Sequence, residues 1–114
     1  MINKIKPKKL IRSKITEKLK AGEWENVNDN SELNKLYEIK VREELAEIIS
    51  SNHDDIMEFV DLIQVAYAFA RVNGFHGKEL SEALQKKSDE KGNFSNLVLN
   101  NLNPENPSNK LYFN

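Results

Sequence analysis

Apolar residues recur at helical spacing in four stretches of this chain, separated by turn-rich segments at Gly22–Ser31, Ser50–Asp54 and Asn73–Gly77. The first stretch, about Lys8 to Lys20, places Leu10, Ile11, Ile15 and Leu19 on one side and predicts a short helix that docks rather than stands alone. The second runs from Ser31, read as the N-cap, to about Ser50, with Leu33, Leu36, Tyr37, Val41, Leu45, Ile48 and Ile49 as its apolar positions. The third starts near Asp54 or Asp55 and ends at about Val72, before Asn73 and Gly74. The fourth spans about Lys78 to Glu90. Beyond it lie a short apolar segment, Phe94 to Leu99, and a tail with Pro104 and Pro107 that is expected to pack only through Leu111, Tyr112 and Phe113. With no strand alternation and no repeat, the pattern predicts an all-α fold. It is read as one domain over residues 1–100 with a C-terminal tail over 101–114.

Four acids fall where this pattern calls for apolar residues. At 100° per residue, Glu44 and Glu47 project from the face of the second helix defined by Leu33, Leu36, Tyr37, Val41 and Ile48, as does Lys40. Twelve of the fifteen residues from Ile56 to Ala70 are apolar, so the third helix needs cover on more than one side, and Glu58 and Asp61 sit within it. Each pair is spaced i, i+3 and so shares a face. In an antiparallel hairpin turning near Asn52 and His53, Glu44 lies level with Asp61 and Glu47 with Glu58. Four carboxylates converging on a partly desolvated spot repel one another unless a cation joins them. A hard divalent ion, Mg²⁺ or Mn²⁺, suits an all-oxygen set, whereas zinc would recruit histidine or cysteine. Taken singly, such acid pairs are ordinary features of solvated helices; their joint placement is what singles them out.

Composition narrows the alternatives. The 114 residues contain no cysteine, which removes disulfides and thiolate chemistry together. The net charge is only -1, but residues 1–20 hold eight basic side chains and one acid, leaving nine basic and seventeen acidic residues for the rest. Such an arm could hold a polyanion; the balance of the whole makes a nucleic-acid binder the lesser expectation. No stretch reads as a membrane span or a signal sequence, since Glu58, Asp61 and Gln64 interrupt the longest apolar region, and a cytoplasmic protein is expected. His53 and His76 fall in expected turns and are read as caps or exposed side chains.

The run Glu43-Glu44-Leu45-Ala46-Glu47, ten intervening residues, then Glu58-Phe59-Val60-Asp61 resembles the E-E-x-x-E and E-x-x-D motif of the all-α NTP pyrophosphatase superfamily, of which MazG is the best-known member. Lys9-Leu10-Ile11-Arg12-Ser13-Lys14-Ile15 is similar to the K-L-V-R-D-K-I opening of a compact MazG-related subgroup of house-cleaning enzymes. Lys87-Ser88-Asp89-Glu90-Lys91-Gly92-Asn93-Phe94 is similar to that subgroup's K-x-x-E-R-G-G-F. The likeness covers about residues 8–99. Ser13, Thr16, Lys91 and Asn93 depart from the subgroup's Asp, Pro, Arg and Gly. Phosphoribosyl-ATP pyrophosphohydrolases resemble the chain less, because Gln64 and Val65 stand where they carry a Tyr-His pair.

The resemblance implies a MazG-like helical bundle around an antiparallel hairpin. It also implies Mg²⁺-dependent hydrolysis of a nucleoside triphosphate between its α and β phosphates, giving a monophosphate and pyrophosphate. Glu44, Glu47, Glu58 and Asp61 become the metal ligands, and Glu43 a neighbour that orients them or helps activate water. Lys9, Arg12, Lys14, Lys87 and Lys91 are the expected phosphate-binding cations, and Trp24, Tyr37 and Phe94 the aromatic groups that could meet a base. A helix apolar nearly all round in so short a chain implies a homodimer or larger homo-oligomer that completes the bundle. The competing expectations are a noncatalytic helical interaction module with a structural metal site and a nucleic-acid accessory protein acting through residues 1–20.

Overall fold

The computed structural model describes residues 7–113, whose regular elements are all helices, with no strand among them. Three α-helices follow one another: α1 over Asn30–Ser50, α2 over Ile56–Val72 and α3 over Gly77–Lys91. Two short 3-10 helices flank them, Ser13–Lys18 and Pro107–Phe113. The chain divides into two compact units, Met1–Ala83 and Leu84–Asn114.

The first unit is built on the α1–α2 hairpin. Its entry is fixed by Asp29 rather than Ser31: the Asp29 carboxylate accepts from the Glu32 amide at 3.1 Å. The carboxylate cannot donate and needs no rotor to find the orphan amides, and its charge suits the positive helix end. At the other end Asn52 and His53 both adopt left-handed backbone, φ 56° and 62°, and the His53 amide closes on the Ile48 carbonyl at 3.0 Å. Asp55 then caps α2 by accepting from the Met57 amide at 2.9 Å. At the hairpin's open end, Asn73 donates to Asn34 at 2.8 Å, and the Tyr37 and Phe69 rings stack at 5.5 Å with 13° between their planes. His76, with its amide on Glu79 at 3.1 Å, opens α3.

The expected helix over Lys8–Lys20 is not formed. Residues 7–12 form no helix, Arg12 is extended, and only Ser13–Lys18 turns as a 3-10 helix. A helix would set Lys14 and Lys18 one turn apart on a segment already crowded with positive charge. A non-helical backbone instead lets Lys8 reach Glu25 at 2.7 Å and Glu32 at 3.4 Å, and Lys9 reach Glu43 at 2.6 Å. Lys4 and Lys6 lie outside the described residues.

In the second unit the last turns of α3 lead into an irregular segment and then the Pro107–Phe113 turn, which Asn103 and Asn106 organise by accepting from the Glu105 and Ser108 amides at 3.0 Å each. Leu111, Tyr112 and Phe113, expected to pack, are exposed, as are Phe94, Leu97, Val98 and Leu99. Among the described residues no helix is long and apolar enough to cross a membrane.

Only Ile48 and Glu44, each 5% exposed, are buried among the described residues. Ile48→Ala is therefore expected to cost about 2–4 kcal/mol, and Asp29→Ala about 1 kcal/mol through the lost cap, both measured by urea unfolding; equal costs at the two positions would contradict this description of the core.

Candidate functional site

The hairpin brings the two acidic pairs together. Glu44 and Glu47 on α1, with Glu58 and Asp61 on α2, place one carboxylate oxygen each within 4.8 Å of one another. Glu44 is buried, Glu58 and Asp61 are half-buried, and Glu47 is exposed at the rim, where the helical wheel had set it toward the core. At this level of the hairpin Ile48, not Glu47, takes the buried position, which leaves Glu47 at the edge of the packed face.

Two carboxylate oxygens of this cluster stand out. Glu44 Oε2 and Glu58 Oε2 are both buried and have no hydrogen-bond partner. Burial pushes the Glu44 carboxyl above its ordinary value, with the Glu47 charge adding to the effect; Lys40 opposes it, and Asp61 and Glu43 add further. Glu58 is likewise raised, first by burial, then by Glu47, and then by the charges of Asp55 and Asp61. Unpartnered buried oxygens on an all-carboxylate donor set are what a hard divalent ion would satisfy, so the residues present fit such an ion.

Glu43 stands apart from the four. Lys40 holds it at 2.5 Å and Lys9 at 2.6 Å, and the two ammonium groups keep its carboxyl below the usual range. Lys40, which the sequence reading placed on this face without a role, also reaches Glu44 at 3.6 Å. Its spacing, i, i+3 to Glu43 and i, i+4 to Glu44, was the available signal.

The arm spans the hairpin: Lys9 meets Glu43 of α1 and Arg12 forms an ion pair with Asp61 of α2. Two of the expected phosphate-binding cations thus sit on the acidic residues themselves. Lys14 lies exposed in the 3-10 turn. Lys87 and Lys91 belong to the second unit, both exposed on the last turns of α3.

Between the arm and the hairpin runs a groove of about 460 Å³, which starts beside Glu44 and is lined by Leu10 to Ser13, by Tyr37 and Lys40, and by Gln64, Val65, Ala68 and Arg71. Of the three aromatic candidates, Tyr37 lines this groove, Trp24 is exposed in the loop before α1, and Phe94 is exposed in the second unit. His53 and His76 serve in the turn and at the α3 start, as expected. No family model, curated protein or solved structure matches the chain.

The pH behaviour of the apo protein follows from the raised carboxyls. A carboxyl whose folded value lies above its unfolded one binds more protons in the native state, so its ionisation costs stability as pH rises through that window. In chelator, Glu44→Gln is expected to raise the melting temperature at neutral pH by about 2–5 °C, with the gain vanishing below the ordinary glutamate value of 4.5. With Mg²⁺ added the order reverses, because the variant loses a ligand; a variant less stable than wild type in chelator at neutral pH would refute the assignment.

Proposed function

We propose that this chain is a divalent-metal-dependent nucleoside triphosphate pyrophosphohydrolase of the MazG-like kind, acting in the house-cleaning of nucleotides. The observation that carries the reading is the convergence of Glu44, Glu47, Glu58 and Asp61, with the buried oxygens of Glu44 and Glu58 unpartnered. Taken with the motif and the flanking resemblances, this arrangement favours phosphoanhydride hydrolysis over the other uses of a helical hairpin.

A Mg²⁺ or Mn²⁺ ion bound by these four residues supplies neutralisation of phosphoryl charge and a water of lowered pKa. The remaining work falls to the chain. Glu44 and Glu58 hold their ligand oxygens ready because burial denies them other partners. Glu43, kept ionised by Lys9 and Lys40, is a weak proton acceptor; it holds Lys40 in place beside Glu44. Lys9 and Arg12, on flexible exposed side chains, can turn from carboxylate to phosphate when substrate arrives, an exchange that costs little because exposed ion pairs contribute only about 0–1 kcal/mol. Lys14, exposed in the 3-10 turn of the same unit, completes the proposed set of phosphate-binding cations. One water adds across the α–β anhydride, the bridging bond breaks, and nucleoside monophosphate and pyrophosphate leave.

Exposed apolar side chains on both hairpin helices, among them Ile39, Leu45, Ile49, Ile56, Met57 and Ile63, support a homodimer or larger assembly. Sedimentation at micromolar concentration is expected to give a species at least twice the 13.2 kDa chain mass; a monomer would exclude the assembly.

The activity is tested by incubating the protein with a panel of ribo- and deoxyribonucleoside triphosphates and Mg²⁺ or Mn²⁺, separating the products by ion exchange. Monophosphate and pyrophosphate are expected, with Glu44→Ala and Asp61→Ala each slowed more than about 100-fold. Metal-dependent stabilisation without turnover of any substrate would favour a structural metal site in an interaction module.

A further inference from the structure

We propose that the groove beside the carboxylates seats the nucleoside part of the substrate, and that Arg71 selects a base whose edge presents carbonyl acceptors. This inference rests on the nucleotide reading above and adds to it a substrate class.

The groove has a direction. On α2 its lining positions Gln64, Val65, Ala68 and Arg71 continue, at spacings of three and four, the stripe that Asp61 begins. At 1.5 Å per residue Arg71 stands about 15 Å along the helix axis from Asp61. On α1 the run is antiparallel: Tyr37 lies about two turns before Glu44. A ligand whose phosphates sit at the carboxylates therefore extends its sugar and base along the hairpin, toward Tyr37 and Arg71.

The walls suit a flat heterocycle. Val65 and Ala68 give an apolar lining, and the small Ala68 side chain leaves space. Leu10 and Ile11 of the arm close the other side, and the Tyr37 ring is held by its stack on Phe69. Beside these apolar walls the groove carries polar groups, Arg12, Lys40, Gln64 and Arg71 among them, of the kind that fix a ligand's orientation.

Of the lining positions on α2, Arg71 lies farthest along the helix from Asp61, and it makes no ion pair among the described residues. A guanidinium has five donors and no acceptor. It meets adjacent acceptors bidentately, as in the pairing of arginine with the O6 and N7 of guanine, whereas the amino group of adenine would set donor against donor. A place in the last turn of α2 favours positive charge there, and lysine would meet that need equally. The planar fork is what distinguishes arginine.

The test uses the α,β-methylene analogues of GTP and ATP, which resist cleavage at the proposed bond, titrated calorimetrically in Mg²⁺. Wild type is expected to bind the guanosine analogue about tenfold or more tightly than the adenosine one. Arg71→Ala should bring the two within about twofold, and Arg71→Lys, which keeps the helix-end charge and with it the fold, should lose most of the preference. Mn²⁺ affinity without nucleotide should be unchanged in both variants. Equal binding of the analogues by wild type, or a preference that persists in Arg71→Ala, overturns the inference and leaves the nucleotide reading standing; binding of neither analogue overturns that reading itself.

Discussion

Mutual repulsion among four carboxylates is the constraint around which the first unit is arranged. Hairpin geometry forces it: two i, i+3 pairs, level across one turn, cannot avoid one another once α1 and α2 pack. Water would relieve the repulsion if the acids were on the surface, but Glu44 is as deeply buried as the apolar Ile48 one turn beyond it. The protein meets part of the cost with its own cations, Lys40 beside Glu43 and Glu44 and Arg12 beside Asp61. It leaves Glu44 Oε2 and Glu58 Oε2 unpaired. A purely structural cluster would be expected to satisfy its most buried oxygens first, and this one satisfies them last.

The same constraint gives the basic arm its shape. A positively charged segment could have coiled into the docked helix that its apolar spacing suggests, yet long-range partners on the hairpin outweigh local propensity. Arg12 has extended backbone and its guanidinium lies on Asp61, while Lys9 lies on Glu43. In consequence the arm both balances the acidic site and bounds the groove that leads away from it. Site and groove thus depend on one set of contacts, all within the first unit.

The hairpin was legible in the sequence because its signals are local and redundant: apolar spacing, Asn and Gly stops, and a capping residue ahead of each helix. The convergence of the four acids was legible too, since helix period and a single turn determine it. What the sequence obscured were choices between near-equal partners. Asp29 and Ser31 both offer a cap, and only the backbone conformation decides for Asp29. Glu47 belongs to the acidic face by angle, yet its neighbour Ile48 takes the buried position there, a choice that the angle alone does not record. Lys40 was visible on the right face, but its contact with Glu44 depends on side-chain reach across a turn. The arm was misread for a different reason, because its partners are tens of residues away.

The most direct test of the central claim is equilibrium binding of Mn²⁺, followed by its electron paramagnetic resonance, in the wild-type protein and in Glu58→Gln. If the four carboxylates form a divalent-metal site, free-ion signal is lost on adding wild-type protein, is restored by competing Mg²⁺, and persists when the variant is added instead. Mn²⁺ that stays free in the presence of wild-type protein, or that binds Glu58→Gln equally well, would contradict the account.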